Sequence, residues 1–415
     1  MTATLDVYFE SDLVGSVYDT QPLAFEYAAS WLARPNAHQI ASIELRAGVN
    51  DSPYVLAFFD NLLPEGALRE YFSQKFKAST VFALLSAIAG DTAGGLVILP
   101  RGQVPEPPGY QPTSWEKLAA IVREGSGTLA AEAKATGARI SLSGAQDKAL
   151  ICIDANGNPS LPTGSSPSTH ILKPNIRRME GVWESAANEA LVMRIANKCG
   201  LDVSEAFYEP TTQACIVRRF DRYAAADGHL RRLVQYDLCQ LNGTASEKKY
   251  ESEGGPGIAR CLELVRKYSN VPAADLSSVL KAVFFNLCAG NNDGHAKNFS
   301  MLAHADKSVR LAPLYDLMCT RIYPGLSGDY AFQIGGEVRP GTISRTRVEA
   351  LAREIRMRPA FVLGVARQVG ERVLEVAPQA LAELQPVFPH SAAILGERVV
   401  DRVREITRGL MQRLA

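Results

Sequence analysis

Asp293 and Asn298 stand in NNDGHAKNFS at the D-x-x-x-x-N interval found in phosphoryl-transfer catalytic loops. Such a carboxylate orients an attacking hydroxyl and accepts its proton, while the amide oxygen helps hold the Mg²⁺ that neutralises nucleotide phosphates. The metal needs a second carboxylate. Asp316 in VRLAPLYDLM offers one, because FSMLAH and VRLAPLYD can pair as a hairpin across ADKS and return Asp316 to Asn298. The interval alone is common in polar loops; the hairpin that follows gives it weight. The loop directly follows the apolar run VFFNLCAG and reads as a stretch that exposes an Asp, a His, a Lys and an Asn.

A phosphoryl-transfer site also requires a cation on the phosphates. Lys173 in THILKP ends a short apolar strand, and Pro174 discourages a helix there. The plain alternative is a surface lysine at a strand end; a helix one strand downstream carries Glu189 as a candidate partner. RISLSGAQDKAL, residues 139–150, brings Ser141, Ser143, Gly144 and Lys148 to a small-residue turn before a strand, as a phosphate-covering loop would, without the Walker A pattern. Turn serines are otherwise ordinary. In RRFDR, Phe220 ends a strand where it could cover an adenine ring, although a lone aromatic there is more often core.

The elements that must carry these residues follow from patterning. TLDVYFESDLVGSV reads as an opening hairpin, and helical spacing covers 23–33 and 53–90, with Pro64 at a helix start. RGQVPEPPGYQPTSW reads as a linker or surface crossing. Short strands come next: ALICID, the segment before HILKP, EAFYEP and ACIVRRFDR. Among them lies the helix SAANEALVMRIANKCG, closed by Gly200. Helices dominate after 235. The outline is an α+β, two-lobed chain with a strand-rich N-terminal lobe, an extra N-terminal subdomain and a mostly helical C-terminal lobe. The expected divisions are 1–105, a Pro-rich crossing at 106–130, a lobe at 131–234 with the phosphate loop, and a helical lobe at 235–415 with the catalytic loop.

Composition narrows the function classes. The 415 residues are 47% hydrophobic and 21% charged, which suits a globular chain of two or three packed units. Lys plus Arg and Asp plus Glu number 44 each, so there is no overall basic field for non-specific phosphate-backbone binding, and any nucleic-acid role is expected to be indirect. The start lacks a basic n-region and an apolar core, and VFALLSAIAG is too short to span a bilayer, so the expectation is a cytoplasmic chain without a membrane contact. Seven widely spaced cysteines without a CxxC read as buried thiols.

With RISLSGAQDKAL, ILKP, RRFDR, KKYESEGGPGIAR, DGHAKNFS and PLYD in this order, and FFDNLLPEG ahead of them, the sequence resembles the HipA family of serine/threonine kinase toxins over most of its length. The resemblance implies a protein-kinase-like core using ATP and Mg²⁺. Asp293 would be the catalytic base, Asn298 and Asp316 the metal ligands, and Lys173 the phosphate contact. It further implies a nucleotide site lined by Gln235, Phe220, the backbone around Arg219 and Ser143, Gly144 and Ala145 of the loop, with His295 and Tyr315 close by. Arg218 departs from the family's usual Glu. Autophosphorylation is implied at Ser141 or Ser143; a phosphate of about −1.5 to −2 charge would be repelled from bound ATP. The implied partners are a helix-turn-helix HipB-like antitoxin, operator DNA mainly through that antitoxin, and a protein substrate, with an aminoacyl-tRNA synthetase favoured. The competing readings are a small-molecule kinase of related architecture and an ATP-binding corepressor with vestigial catalysis.

Overall fold

TLDVYF and DLVGSVY form the antiparallel pair Thr4–Phe9 and Asp12–Tyr18, with a bulge between Val7 and Tyr8. The structure is a computed structural model and describes residues 3–35, 37–88, 90–124, 146–177 and 179–415. It divides into two units. The first takes in Met1–Leu172, Arg219–Lys248 and Leu302–Lys307; the second takes in Lys173–Arg218, Lys249–Met301 and Ser308–Ala415.

In the first unit, the opening pair lies inside a five-stranded sheet in the order Val49–Asn50, Ala24–Tyr27, Asp12–Tyr18, Thr4–Phe9, Leu96–Pro100. Residues 23–33 are therefore not one helix. Phe25 and Tyr27 suit a pleated surface, and Tyr27 fixes the strand end by donating to the Ile43 carbonyl and accepting from the Ile40 N–H. Only Ala29–Leu32 is helical, one turn that ends shortly before Pro35. Helices Pro53–Asn61, Gly66–Phe76 and Val81–Ile88 occupy the 53–90 stretch. Pro64 precedes the second of these rather than starting it, since Glu65 is its N-cap.

The proline-rich stretch carries regular structure of its own. Gly109–Pro112 pairs with Pro159–Thr163, and helix Trp115–Glu124 follows. Pro112 sits at the strand's end, where its missing N–H is tolerated. Ala149–Ile153 pairs with Pro159–Thr163 on one side and with His170–Leu172 on the other. The intervening turn is held by Asp154 Oδ1, which accepts from the N–H groups of Asn156 and Asn158.

The interior of this unit also holds a charged cluster. Asp91 accepts from Arg222 Nη2 at 2.6 Å, Arg219 Nη1 at 3.0 Å and Arg232 Nε at 3.3 Å, while Asp221 pairs with Arg219 and Arg222 at 2.8 Å each. All five residues are buried.

The second unit begins at Lys173. Helix Ser185–Lys198 is buried from Ser185 through Met193, with Gly200 at φ +78° just past its end. The hairpin Ala206–Glu209/Ala214–Arg218 packs on it. Helices Ile258–Tyr268, Pro272–Ala289, Arg345–Glu354, Pro359–Leu384 and His390–Leu414 form the rest, around a core that includes Phe284, Phe285 and Phe332. The closing helix buries Leu395, Val399, Val403, Ile406 and Leu410, a stripe at i, i+4, i+8, i+11 and i+15. Among the described residues no helix is long and apolar enough to cross a membrane. All seven cysteines are free thiols, five of them buried.

Candidate active site

The loop bearing Asp293 leaves helix Pro272–Ala289 through Gly290, a left-handed C-cap at φ +68°. The helix fixes the loop from beneath: the Asn286 carbonyl accepts from the Asn291 N–H at 2.9 Å, and Asn286 Oδ1 accepts from Asn291 Nδ2 at 3.1 Å. The Asn292 N–H donates to the Thr320 hydroxyl oxygen and its side-chain amide donates to the Ser327 carbonyl. A Cβ at Gly294 would lie 2.5 Å from Asn286 Nδ2, so the close approach requires glycine there.

The burial of this loop corrects the expectation that it exposes its polar residues. His295, Lys297 and Asn298 are all buried, as are Asn291 and Asn292. Of the ten residues 291–300 only Asp293 is exposed. Its Oδ1 accepts from the Tyr250 hydroxyl, and the Tyr250 ring meets His295 edge-on with centroids 5.2 Å apart.

Asn298 closes a short 3-10 turn, Ala296–Asn298. Its Oδ1 accepts from the His295 N–H at 3.0 Å and its Nδ2 donates to Asp316 Oδ2 at 3.1 Å. The return toward Asp316 starts with Ala312 donating to the Ser300 carbonyl at 2.8 Å. Tyr315 then anchors it: its hydroxyl donates to the Lys297 carbonyl at 2.7 Å and lies 2.8 Å from Ser300 Oγ. Asp316 itself has φ +61°, a left-handed conformation that aspartate tolerates better than most residues and that is over-represented at functional sites.

Lys173 completes the cluster. Its Nζ donates to Glu189 Oε1 at 2.6 Å and to Asp316 Oδ1 at 2.8 Å. Lys173 and Glu189 are buried, whereas the Asp316 side chain is about half exposed. Burial alone would lower the lysine pKa; Asp316 and then Glu189 outweigh it and hold the ammonium well above its ordinary value. The amine is thus a fixed cation, with one carboxylate partner locked in the helix and the other open to solvent.

The structure therefore gathers Lys173, Glu189, Asp293, Asn298, His295, Tyr315 and Asp316 in the second unit. Arg219, Phe220 and Gln235 belong to the first. There the Arg219 guanidinium is wholly engaged by Asp91, Asp221, Ser168 and the Thr92 carbonyl, and the Gln235 carbonyl lies 2.3 Å from where a Cβ on Gly94 would sit. Ser141, Ser143, Gly144 and Ala145 lie outside the described residues. Arg218 is exposed and pairs with Glu205 at 2.8 Å. Tyr250 was missed by sequence reasoning: its motif, KKYESEGGPGIAR, carried no assigned role, and nothing in its spacing points to Asp293.

The donor set suits Mg²⁺. A hard cation takes oxygen ligands, and the neighbouring Asp316 carboxylate and Asn298 amide are of that type; the amide turns its Nδ2 to Asp316 Oδ2 and its Oδ1 to the His295 N–H, so it must turn over to offer its oxygen beside the carboxylate. Among the described residues there is no group of three His, Cys, Asp or Glu of the kind that holds a metal without substrate.

A mixed α/β chain with a lysine–carboxylate–amide cluster of this kind has relatives. The model of the HipA-like C-terminal domain matches residues 140–379, and that of the HipA N-terminal domain matches 5–99. The chain belongs to the HipA family. It is 37% identical over 406 residues to the putative kinase Y4mE of Sinorhizobium fredii, covering 94% of each chain. It is 26% identical over 409 residues to the serine/threonine-protein kinase toxin HipA of Shewanella oneidensis, covering 94% of this chain and 90% of that one. A solved complex of Shewanella oneidensis HipA with HipB and its operator DNA superposes with a TM-score of 0.82 at 23% identity, covering 99% of this chain and 98% of its counterpart, which establishes the shared fold.

Proposed function

We propose that this chain is an ATP-dependent serine/threonine-protein kinase and the toxin of a type II toxin–antitoxin pair. The observation that carries the reading is the cluster around Asp316, which receives Lys173, 143 residues away in sequence, on one oxygen and Asn298 on the other. A buried salt-bridged lysine, two oxygen ligands and one exposed carboxylate are the parts that phosphoryl transfer requires.

In the reaction, a substrate hydroxyl attacks the γ-phosphorus and the bond to the β-bridging oxygen breaks, releasing ADP. Asp293 orients the hydroxyl and takes its proton. Tyr250 occupies Oδ1 of that carboxylate, so Oδ2 is left for the substrate. Lys173, held by Glu189, contacts the nucleotide phosphates. Asn298 and Asp316 would hold Mg²⁺, which when bound would supply charge neutralisation on the phosphates. Gln235, Phe220 and the Arg219 backbone line the nucleotide site in this reading, with Ser143, Gly144 and Ala145 covering the phosphates.

The same reading divides the chain into an N-terminal subdomain at 1–105, a crossing at 106–130, and kinase lobes at 131–234 and 235–415. It makes Ser141 or Ser143 the site of an inactivating autophosphorylation. The partner is a HipB-like antitoxin, consistent with the HipA–HipB–operator DNA complex of the Shewanella relative. The substrate is a cytoplasmic protein, an aminoacyl-tRNA synthetase by preference, whose modification arrests translation.

The test is transfer from γ-labelled ATP. Wild-type protein labels itself and a protein acceptor, whereas Asp293→Gln binds ATP without labelling either and does not arrest growth on overexpression. Growth arrest by Asp293→Gln, or label appearing only in small metabolites, refutes the reading.

A further inference from the structure

The second unit contains a cleft of about 470 Å³ that lies outside the Lys173–Asp316 cluster and has no part in the proposed reaction. Its walls are one side of the closing helix, the turn at Arg321 and the backbone at Gly341. Five guanidiniums line it, from Arg321, Arg402, Arg404, Arg408 and Arg413, against two carboxylates, Asp401 and Glu405. Gly409, on the same side of the helix, adds no side chain, which keeps the space open.

Several of these charges are not balanced within the protein. Glu405 is already engaged by Arg402 at 2.8 Å. Arg413 is fixed by donating its Nε to the Ile343 carbonyl at 3.0 Å and its Nη2 to the Pro340 carbonyl at 3.2 Å, neither of which offsets its charge. Arg404 Nε is buried without a hydrogen-bond partner. Among the described residues, the half-buried Arg321 guanidinium makes no ion pair; burial, and then the neighbouring Arg402, depress its pKa. Burying an unsatisfied donor and crowding like charges are both unfavourable, and a ligand rich in anionic oxygens relieves both.

We propose that this cleft is a second ligand site that binds a small polyphosphate, with linked phosphate groups bridging Arg321 on one wall and Arg404 and Arg408 on the helix. Guanidinium forks suit phosphate oxygens, and the volume falls within the range of small-molecule pockets. A nucleic-acid backbone fits less well, because it needs an extended basic track and the chain has equal numbers of acidic and basic residues.

The experiment is calorimetric titration of the full chain with pyrophosphate at constant ionic strength. Saturable binding is expected, weakened about tenfold or more by Arg321→Gln/Arg408→Gln and retained by Lys173→Met, which removes the cation of the candidate nucleotide site. Arg408 is exposed, so Arg408→Gln alone tests the site if the double variant does not fold; it should weaken binding a few-fold, about threefold. The proposal is overturned if binding is indifferent to the arginine variants, is lost only in Lys173→Met, or is matched by equimolar sulfate. It is equally overturned if a short DNA duplex binds with the same Arg321 dependence and displaces pyrophosphate.

Discussion

Removing the Asp91 carboxylate should destabilise the first unit severely, and the structure sets the scale. Asp91 Oδ1 accepts from Arg222 and Arg232, and Oδ2 from Arg219 and from the N–H and hydroxyl of Ser168. In Asp91→Ala, Arg219 and Arg222 keep only Asp221, and Arg232 loses the carboxylate it pairs with. Uncompensated buried charge of this kind costs about 3–5 kcal/mol, a large fraction of the 5–15 kcal/mol that typically separates folded from unfolded chains. At roughly 2–4 °C per kcal/mol for a unit of this size, the melting temperature should fall by about 6–20 °C. Urea and thermal unfolding followed by circular dichroism measure both. Asp91→Asn keeps the shape and the Ser168 contact, so a comparable loss in that variant assigns the effect to charge.

The pH dependence supplies an independent check. Burial pushes the Asp91 carboxyl up, but Arg222, Arg219 and Arg232 together outweigh it and leave it well below the usual carboxylate range. A carboxylate with a depressed folded pKa contributes fully above its unfolded value, about 3.9, and that contribution is lost as pH falls toward the folded value. The gap between wild type and Asp91→Asn should therefore be constant from neutral pH down to about 4 and narrow below it. A variant within about 1 kcal/mol of wild type, or a gap that widens in acid, refutes the account of the network.

Lys173→Met leaves Glu189 buried without its cation and should cost about 3 kcal/mol of stability while abolishing nucleotide binding; unchanged ATP affinity would contradict its assigned role. Tyr250→Phe removes the phenol on Asp293 and should lower kcat by about 10- to 100-fold with KM for ATP unchanged, since such a hydrogen bond is worth about 1.5–3 kcal/mol; equal kcat in steady-state assays would exclude the contact from catalysis. Burial pushes the Cys152 thiol up to about 11 and those of Cys288 and Cys319 up to about 12, so the native protein should react slowly with a thiol reagent at pH 8 and the urea-unfolded protein should titrate all seven cysteines; rapid native labelling at these three would show that they are accessible.

What was legible in the sequence depended on how local the cause is. The opening hairpin and the helices at 185–198, 258–268 and 272–289 announce themselves by alternation, by 3.6-residue spacing and by closing glycines. The return of Asp316 to Asn298 is short-range, since only a turn separates the two strands. Residues 24–27 misled because their apolar residues fit either period, and the choice was made by pairing with Asp12–Tyr18, a tertiary effect. The Asp91 network was not legible. Asp91 looks like a loop residue in GDTAGG, and RRFDR gives no sign that Arg219, Asp221 and Arg222 turn inward to meet it across some 130 residues. Tyr250 was invisible for the same reason, being 43 residues from Asp293.

NNDGHAKNFS shows how a local reading can pick out candidate residues and still be wrong about their environment. Polar residues signal exposure only when nothing in the fold can satisfy them. Here Asn286, Thr320 and Ser327 supply partners for Asn291 and Asn292, and the Asn298 amide oxygen accepts from the His295 N–H. With those groups paired, most of the loop's polar atoms can be buried at little cost, since hydrogen-bonded polar groups in a network hold a defined geometry. Asp293 is the exception, reaching solvent while Tyr250 fixes one of its oxygens. In the proposed reaction a base must meet an incoming hydroxyl without shifting, and a single exposed carboxylate on an otherwise immobilised loop would meet that demand.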